Sequence, residues 1–281
     1  MSAKKEKLEN NSLRRVLVEC QLREEGFVMS SHHCPSFYEI YYVDRGNCRF
    51  MVENNIYDLR QGDFLLIPPD VLHYTRYLDG PCKKYGIYFR NNDISPQAAA
   101  AMPGGSTFFQ ETRIFQLPDA HHYQAELLLD RMLTEEKIED SRTEAMLYLQ
   151  LQELLLFCSR NCSFLQDIPA NIRTTDRQIV LAARYISDHY MEPISAADIA
   201  SAAGFSPNYL SRRFRTAAGI GLHEYIVFVR LHHAAQELLS TADSITEIAL
   251  RCGFSDSNYF KDSFKKKYGV TPRNYRKPSG G

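Results

Sequence analysis

Ile199-Ala200-Ser201-Ala202-Ala203-Gly204-Phe205-Ser206 and Ile248-Ala249-Leu250-Arg251-Cys252-Gly253-Phe254-Ser255 carry one pattern twice. Each copy reads as the end of an amphipathic helix, a tight turn and the start of a second helix. Ile-Ala supplies a buried contact, and Gly204 or Gly253 takes the positive φ that such a turn demands. Phe205 or Phe254 plugs the turn. Ser206 and Ser255 are placed to cap the following helix, and Pro207 suits a first helical position, where a missing N–H costs nothing. Two DNA-reading helices in one chain are the expectation.

The likeness continues beyond the turns. Asn208-Tyr209-Leu210-Ser211-Arg212-Arg213-Phe214-Arg215 matches Asn258-Tyr259-Phe260-Lys261-Asp262-Ser263-Phe264-Lys265. Leu210 with Phe214, and Phe260 with Phe264, are i,i+4 pairs that would face a core. The opposite faces are polar: Asn208, Ser211, Arg212 and Arg215 on the first helix, and Asn258, Lys261, Asp262 and Lys265 on the second. Such side chains suit groove edges and phosphates. Gly219 and Gly269 would end the two helices. Residues 222–240 between the units lack Gly and Pro, and as a helix they would span nearly 30 Å. That length would hold two recognition helices about one DNA turn apart, so one protomer would read about two turns. The run Lys265-Lys266-Lys267 ends the second candidate helix, where it would meet backbone phosphates.

Residues 176–276 resemble the DNA-binding domain of AraC-type transcription regulators. The signature runs through Ile248-Ala249, Gly253-Phe254, Ser257, Tyr259-Phe260, Phe264-Lys265, Gly269, Pro272 and Tyr275-Arg276. By that resemblance the first recognition helix reads bases through Asn208, Ser211 and Arg212, and the second through Ser257, Asn258 and Asp262. Asp262 departs from the family, whose members often carry a basic residue there. A carboxylate is repelled by phosphate unless it accepts from a cytosine amino group.

The net charge of −1 conceals a division. Residues 172–281 carry 15 Lys+Arg against 10 Asp+Glu, a balance of +5, and the remainder carries −6. The basic part is where nucleic acid should bind. No run approaches the ~18 apolar residues of a membrane span, and no apolar stretch behind Met1-Ser2-Ala3-Lys4-Lys5-Glu6-Lys7 suggests a secretory signal. A cytoplasmic chain with reduced thiols is expected. Its seven cysteines are irregularly spaced, fitting neither a disulfide framework nor a zinc pattern.

From residue 16 to about 89 the chain alternates β-branched and aromatic stretches with turn signals such as Arg45-Gly46-Asn47 and Pro68-Pro69. Short strands at this spacing predict an antiparallel sandwich or barrel. His33, Glu39 and Gly46, followed by Gly62-Asp63-x-x-x-x-Pro68-x-Asp70-x-x-His73, resemble the paired motifs of cupin barrels, a sensor domain that many AraC-type regulators carry. Cupin enzymes hold a metal through two histidines and a glutamate of the first motif and one histidine of the second. Here Pro35 stands where the first motif's second histidine would be, and His32 would point the other way. A His33, Glu39, His73 remnant would leave three ligands for a metal, whereas the missing ligand and the attached DNA-binding domain point to an organic-ligand pocket. No metal or cofactor is expected. Tyr41 shares parity with Glu39 and would face inward with it, while Tyr38 and Tyr42 would face outward.

Residues 119–137 and 140–162 read as two helices. The second carries Leu147, Leu151, Leu154 and Cys158 in one stripe, widened by Leu149, Leu155 and Leu156. Packing against the barrel is one use of that stripe; a homodimer interface is the expectation.

The chain is thus expected to be an α+β two-domain protein. Residues 1–15 form an arm, 16–118 a cupin-like antiparallel β-barrel, 119–162 a helical dimerisation hairpin, 163–175 a linker, and 176–278 an all-α tandem helix-turn-helix domain. The expected function is a non-enzymatic transcription regulator, an activator, that binds double-stranded DNA as a homodimer and contacts RNA polymerase. A small-molecule effector would sit among His33, Glu39, Tyr41 and His73. A metal-dependent cupin enzyme with an accessory DNA-binding domain, and a regulator with no ligand, are the alternatives.

Overall fold

The computed structural model describes residues 16–24, 35–52, 55–71, 73–77, 80–164, 177–218 and 220–276. The chain divides into two compact units, Met1–Thr174 and Thr175–Gly281.

Among the described residues, the first unit has nine strands: β1 Leu17–Arg23, β2 Tyr38–Arg45, β3 Asn47–Val52, β4 Asn55–Arg60, β5 Asp63–Ile67, β6 His73–Arg76, β7 Cys82–Phe89, β8 Arg113–Gln116 and β9 Ser163–Phe164. They form a six-stranded sheet in the order β1-β7-β2-β5-β8-β9 and a three-stranded sheet in the order β4-β3-β6. All pairings are antiparallel. Gly46, at φ +76, makes the turn from β2 into β3. Among the described residues, three α-helices join this unit: α1 Pro96–Ala101, α2 His122–Ile138 and α3 Thr143–Asn161.

The central strands of the large sheet, β2, β5 and β7, are buried on both faces, and strand alternation divides their side chains between two cores. Leu17, Phe37, Tyr41, Val43, Tyr88 and Cys82 meet Cys48, Phe50 and Val52 between the sheets. Tyr38, Ile40, Tyr42, Tyr85, Ile87 and Phe89 project the other way, into a core closed by the helices. Tyr38 and Tyr42 thus leave the barrel as the parity requires, but enter a second core rather than solvent.

That second core overturns the expected use of the leucine stripe. Leu147, Leu151, Leu154, Leu155 and Cys158 all pack against the sheet, with Leu151 and Leu154 0% exposed within a single chain, whereas Leu149 is 59% and Leu156 42% exposed. The apolar surface that a thin barrel did not require is used by the sheet's outer face. The residues chosen for a dimer contact are therefore already covered. Ser163 and Phe164 also depart from the linker reading, because they pair with Gln116 and Phe115. Gln152 of α3 ties down the segment that leads into α1, accepting from Ser95 N at 2.8 Å and donating to Asp93 O at 2.8 Å.

The second unit is all helical: α4 Arg177–His189, α5 Ala196–Ala203, α6 Pro207–Ala218, α7 Leu222–Ser240, α8 Ile245–Arg251, α9 Ser257–Tyr268 and α10 Pro272–Arg276. Alpha-helices α5 and α8 open on the same capping box, Ser195 with Asp198 and Ser244 with Glu247, each serine and acid satisfying the other's backbone N–H. Among the described residues, no helix is long and apolar enough to cross a membrane.

Leu151→Ala should destabilise the first unit by about 2–5 kcal/mol, through lost transfer energy and the cavity left behind. Leu149→Ala should stay within about 0.5 kcal/mol. Urea unfolding of the two full-length variants measures the contrast; equal losses would mean that α3 presents a different face to the sheet.

Candidate nucleic-acid interface and ligand site

The two turns are built alike. Gly204 stands at φ +71 and Gly253 at φ +84. In each, the phenylalanine N–H closes the turn on an alanine carbonyl, Phe205 N to Ala200 O at 2.8 Å and Phe254 N to Ala249 O at 2.9 Å. The units differ by one residue after the turn. Alpha-helix α6 starts at Pro207, whereas α9 starts at Ser257 and is capped by Asp256, which accepts from Asn258 N at 2.9 Å. Asp256 rather than Ser255 is the cap, because the second turn is one residue longer.

Leu210, Phe214, Phe260 and Phe264 are fully buried. This leaves Asn208, Ser211, Arg212 and Arg215 exposed on α6, and Asn258, Lys261, Asp262 and Lys265 exposed on α9. Two predicted contacts are less available. Ser211 donates its hydroxyl back to Pro207 O at 2.9 Å, and Ser257 buries its Oγ instead of presenting it on the outer face. The lysine run also divides. Lys265 and Lys266 are exposed, but Lys267 folds back so that its Nζ lies 3.1 Å from the centre of the Phe228 ring on α7. Gly219 lies outside the described residues; Gly269 ends α9 at φ +75.

The second turn is seated on the end of α4 through α7. Arg230 donates through Nε to Tyr190 O and through Nη2 to Glu192 O, both at 2.7 Å. The Tyr190 ring stacks on His233, with centroids 4.0 Å apart. Burial lowers the basicity of both neighbouring histidines, bringing His232 down to about 4, so both imidazoles are neutral at neutral pH and the charge at this joint is that of Arg230.

In the first unit, Glu39, Tyr41 and His73 come together between the sheets, while His33 lies outside the described residues. Tyr41 donates to Glu39 Oε1 at 3.0 Å, and His73 Nε2 stands 2.6 Å from Glu39 Oε2. His73 Nδ1 faces Val71 O at 3.1 Å. A carbonyl only accepts, so Nδ1 carries the hydrogen of that contact.

Residues on two other strands extend this network, and sequence reading missed them. Tyr88 donates to Glu19 Oε1, and Gln21 Nε2 donates to the same oxygen at 2.5 Å. Tyr88 also lies within hydrogen-bonding reach of Tyr41. Gly86 makes the room. It pairs with Glu19 on one side and Tyr41 on the other, and a Cβ there would stand 2.2 Å from the Tyr88 hydroxyl. Lys84, 3% exposed, lies with its Nζ 4.1 Å from the Tyr41 ring centre and 4.6 Å from that of Phe50. The parity of β7, with Cys82, Lys84, Gly86 and Tyr88 on one face, was the signal that would have found Lys84 and Tyr88. Among the described residues, no three His, Cys, Asp or Glu side chains form a group that could hold a metal.

Two family models match the chain: an AraC-like ligand binding domain over residues 19–151 and a helix-turn-helix domain over residues 199–278. The HTH-type transcriptional activator RhaS of Enterobacter sp. (strain 638) is 24% identical over 267 residues, covering 93% of this chain and 91% of that protein. RhaS of Escherichia coli O1:K1 / APEC is 25% identical over 272 residues, covering 95% and 93%. Among solved structures, the C-terminal domain of the response regulator yesN from Fusobacterium nucleatum is 34% identical, covering 34% of this chain and 95% of that one, with a TM-score of 0.33. ToxT from Vibrio cholerae O395 is 13% identical, covering 93% and 97%, with a TM-score of 0.36.

The two turn glycines should respond differently to substitution. An added Cβ meets nothing within 4 Å at Gly204, but at Gly253 it stands 2.4 Å from Tyr190 O and 2.8 Å from Arg230 Nε. Gly204→Ala should cost about 1–2 kcal/mol for the left-handed backbone alone. Gly253→Ala should cost clearly more, because the Arg230 clamp must also shift. Thermal unfolding followed by helical circular dichroism ranks them; a Gly253→Ala variant as stable as Gly204→Ala would show that the joint is not tight.

Proposed function

The chain belongs to the AraC-type transcription regulators, a DNA-binding family with a ligand-binding domain, and from that membership we propose how its two units divide the work. Residues 176–278 hold duplex DNA through α6 and α9. The observation that carries this is the pair of turns built with the same glycine and phenylalanine geometry, each leaving a polar helix face exposed. On α6, Asn208 and Arg212 read base edges and Arg215 takes phosphate. On α9, Asn258, Lys261 and Lys265 do the corresponding work, with Asp262 restricting contact to a cytosine amino group. The 19 residues of α7 span about 29 Å, close to the ~34 Å pitch that separates successive major grooves.

Residues 16–162 sense an uncharged small molecule rich in hydroxyl groups. Glu39, Tyr41 and His73 supply hydrogen-bonding groups, joined by Glu19 and Tyr88. Lys84 inside the same barrel weighs against a cationic effector, which it would repel. The function is regulatory rather than enzymatic, and activation through RNA polymerase is supported by relatives that are themselves named activators.

The protein acts as a homodimer, but through the outer face of the hairpin. Met146, Leu149 and Leu156 on α3 and Tyr123 and Leu127 on α2 are exposed apolar side chains. The Arg131–Glu153 ion pair, at 2.7 Å, bridges the two helices on the exposed side. A second copy covering that face would raise the effective concentration of the second DNA-binding unit.

Gel shifts of full-length protein on the DNA upstream of its own gene test the first proposal. Affinity should fall steeply with salt. Arg212→Ala should weaken binding by about 1–3 kcal/mol, while Asp262→Ala should leave it equal or tighter. Equal losses in both would mean that Asp262 makes a favourable DNA contact as strong as that of Arg212.

Light scattering tests the second. Replacing Leu149 and Leu156 together by Asp should give folded monomers with weaker operator binding, and a folded dimer would place the contact elsewhere.

A further inference from the structure

The barrel holds two thiols that ligand sensing does not use. Cys48 lies on β3 of the small sheet, opposite Leu59, and Cys82 opens β7 of the large sheet, opposite Arg23. Both are buried and reduced, in one core between the sheets. Their side chains are hydrogen-bonded to each other. The turn before β3 brings them together: a Cβ on Gly46 would stand 2.4 Å from Pro81 O and 3.1 Å from Cys82 Cα. Gly46 and Pro81 are themselves exposed, so the thiol pair sits just beneath the surface at this end of the barrel.

The two sulfurs are not equivalent. The hydrogen bond from Cys48 holds the Cys82 thiol below its ordinary range, with further help from the Lys84 ammonium and against the cost of burial. Cys48 is pushed up, first by donating that bond and then by burial. One thiol is thus the better nucleophile and its neighbour keeps a proton to give.

We propose that Cys48 and Cys82 are a redox-active pair, oxidised by a hydroperoxide to a disulfide that joins the two sheets. With hydrogen peroxide, the Cys82 thiolate attacks one oxygen and the O–O bond breaks. The departing hydroxide takes the proton that Cys82 gave up and leaves as water. The sulfenic acid on Cys82 is then attacked by the Cys48 sulfur; the S–O bond breaks and the hydroxyl leaves as a second water with the Cys48 proton. Two thiols lose two electrons and the peroxide gains them, and a dithiol reductant reverses the reaction. Cys158 and Cys162 are also in contact, and there burial raises the Cys158 thiol.

The test treats reduced, folded, full-length protein with a small excess of hydrogen peroxide, alkylates the remaining thiols after denaturation, and maps the unreduced digest by mass spectrometry. Two of the seven thiols should be lost together in one Cys48–Cys82 linked peptide pair, and dithiothreitol should restore both. Cys48→Ser should instead accumulate a dimedone-reactive sulfenic acid on Cys82. Because the main readout is the native sequence, a folding defect in the variant does not obscure it. The proposal is overturned if Cys48 and Cys82 stay alkylatable while other cysteines oxidise, or if they link only after the protein is unfolded in urea. Neither result bears on the effector, so the sensing proposal stands or falls separately.

Discussion

The first unit depends on one constraint: the central strands of the large sheet are buried on both faces, so their residues must be assigned to one of two cores. On β7 the alternation sends Cys82, Lys84 and Tyr88 between the sheets and Tyr85, Ile87 and Phe89 toward the helices. A one-residue slip would place Lys84 under the helices and Ile87 among the carboxylates. The same parity places Glu39 and Tyr41 beside Gly86 and Tyr88, and so builds the polar network from strand register alone.

Charge buried in that space must be matched, because an unpaired ion in a low-dielectric interior is far costlier than a neutral group. Glu39 is matched by His73 and Tyr41, Glu19 by Tyr88 and Gln21, and the Lys84 ammonium lies against aromatic faces.

The second unit is governed by close approach at a glycine. Gly253 lets the second turn rest against Tyr190 O, where Arg230 also donates, so α4, α7 and the second helix-turn-helix share one joint. The first turn has free space around Gly204. The two reading helices thus share a local design but differ in how firmly their turns are braced, and in charge, since Arg212 on α6 is answered by Asp262 on α9.

The helical unit was legible in the sequence because its signals are local. The positive φ at Gly204 and Gly253, the burial of Leu210, Phe214, Phe260 and Phe264, and the extent of α7 all follow from residues within a turn or two of one another. The spacing of short strands likewise gave an antiparallel β unit, and the parity of Glu39 with Tyr41 was visible on one strand. The tertiary structure alone decided what covers each face. The periodicity of α3 showed that Leu151 and Leu154 share a stripe, but a stripe does not reveal whether a sheet or a second chain lies against it. Glu19, Lys84 and Tyr88 joined the interior only when β1 and β7 paired beside β2, strands far apart in sequence. Asp256 displaced Ser255 as the cap because one extra residue lengthens the second turn, and Phe164 became a strand residue because Phe115 was there to pair with it. Backbone preference is encoded in neighbouring residues; the occupant of a face is set by residues that only folding brings near.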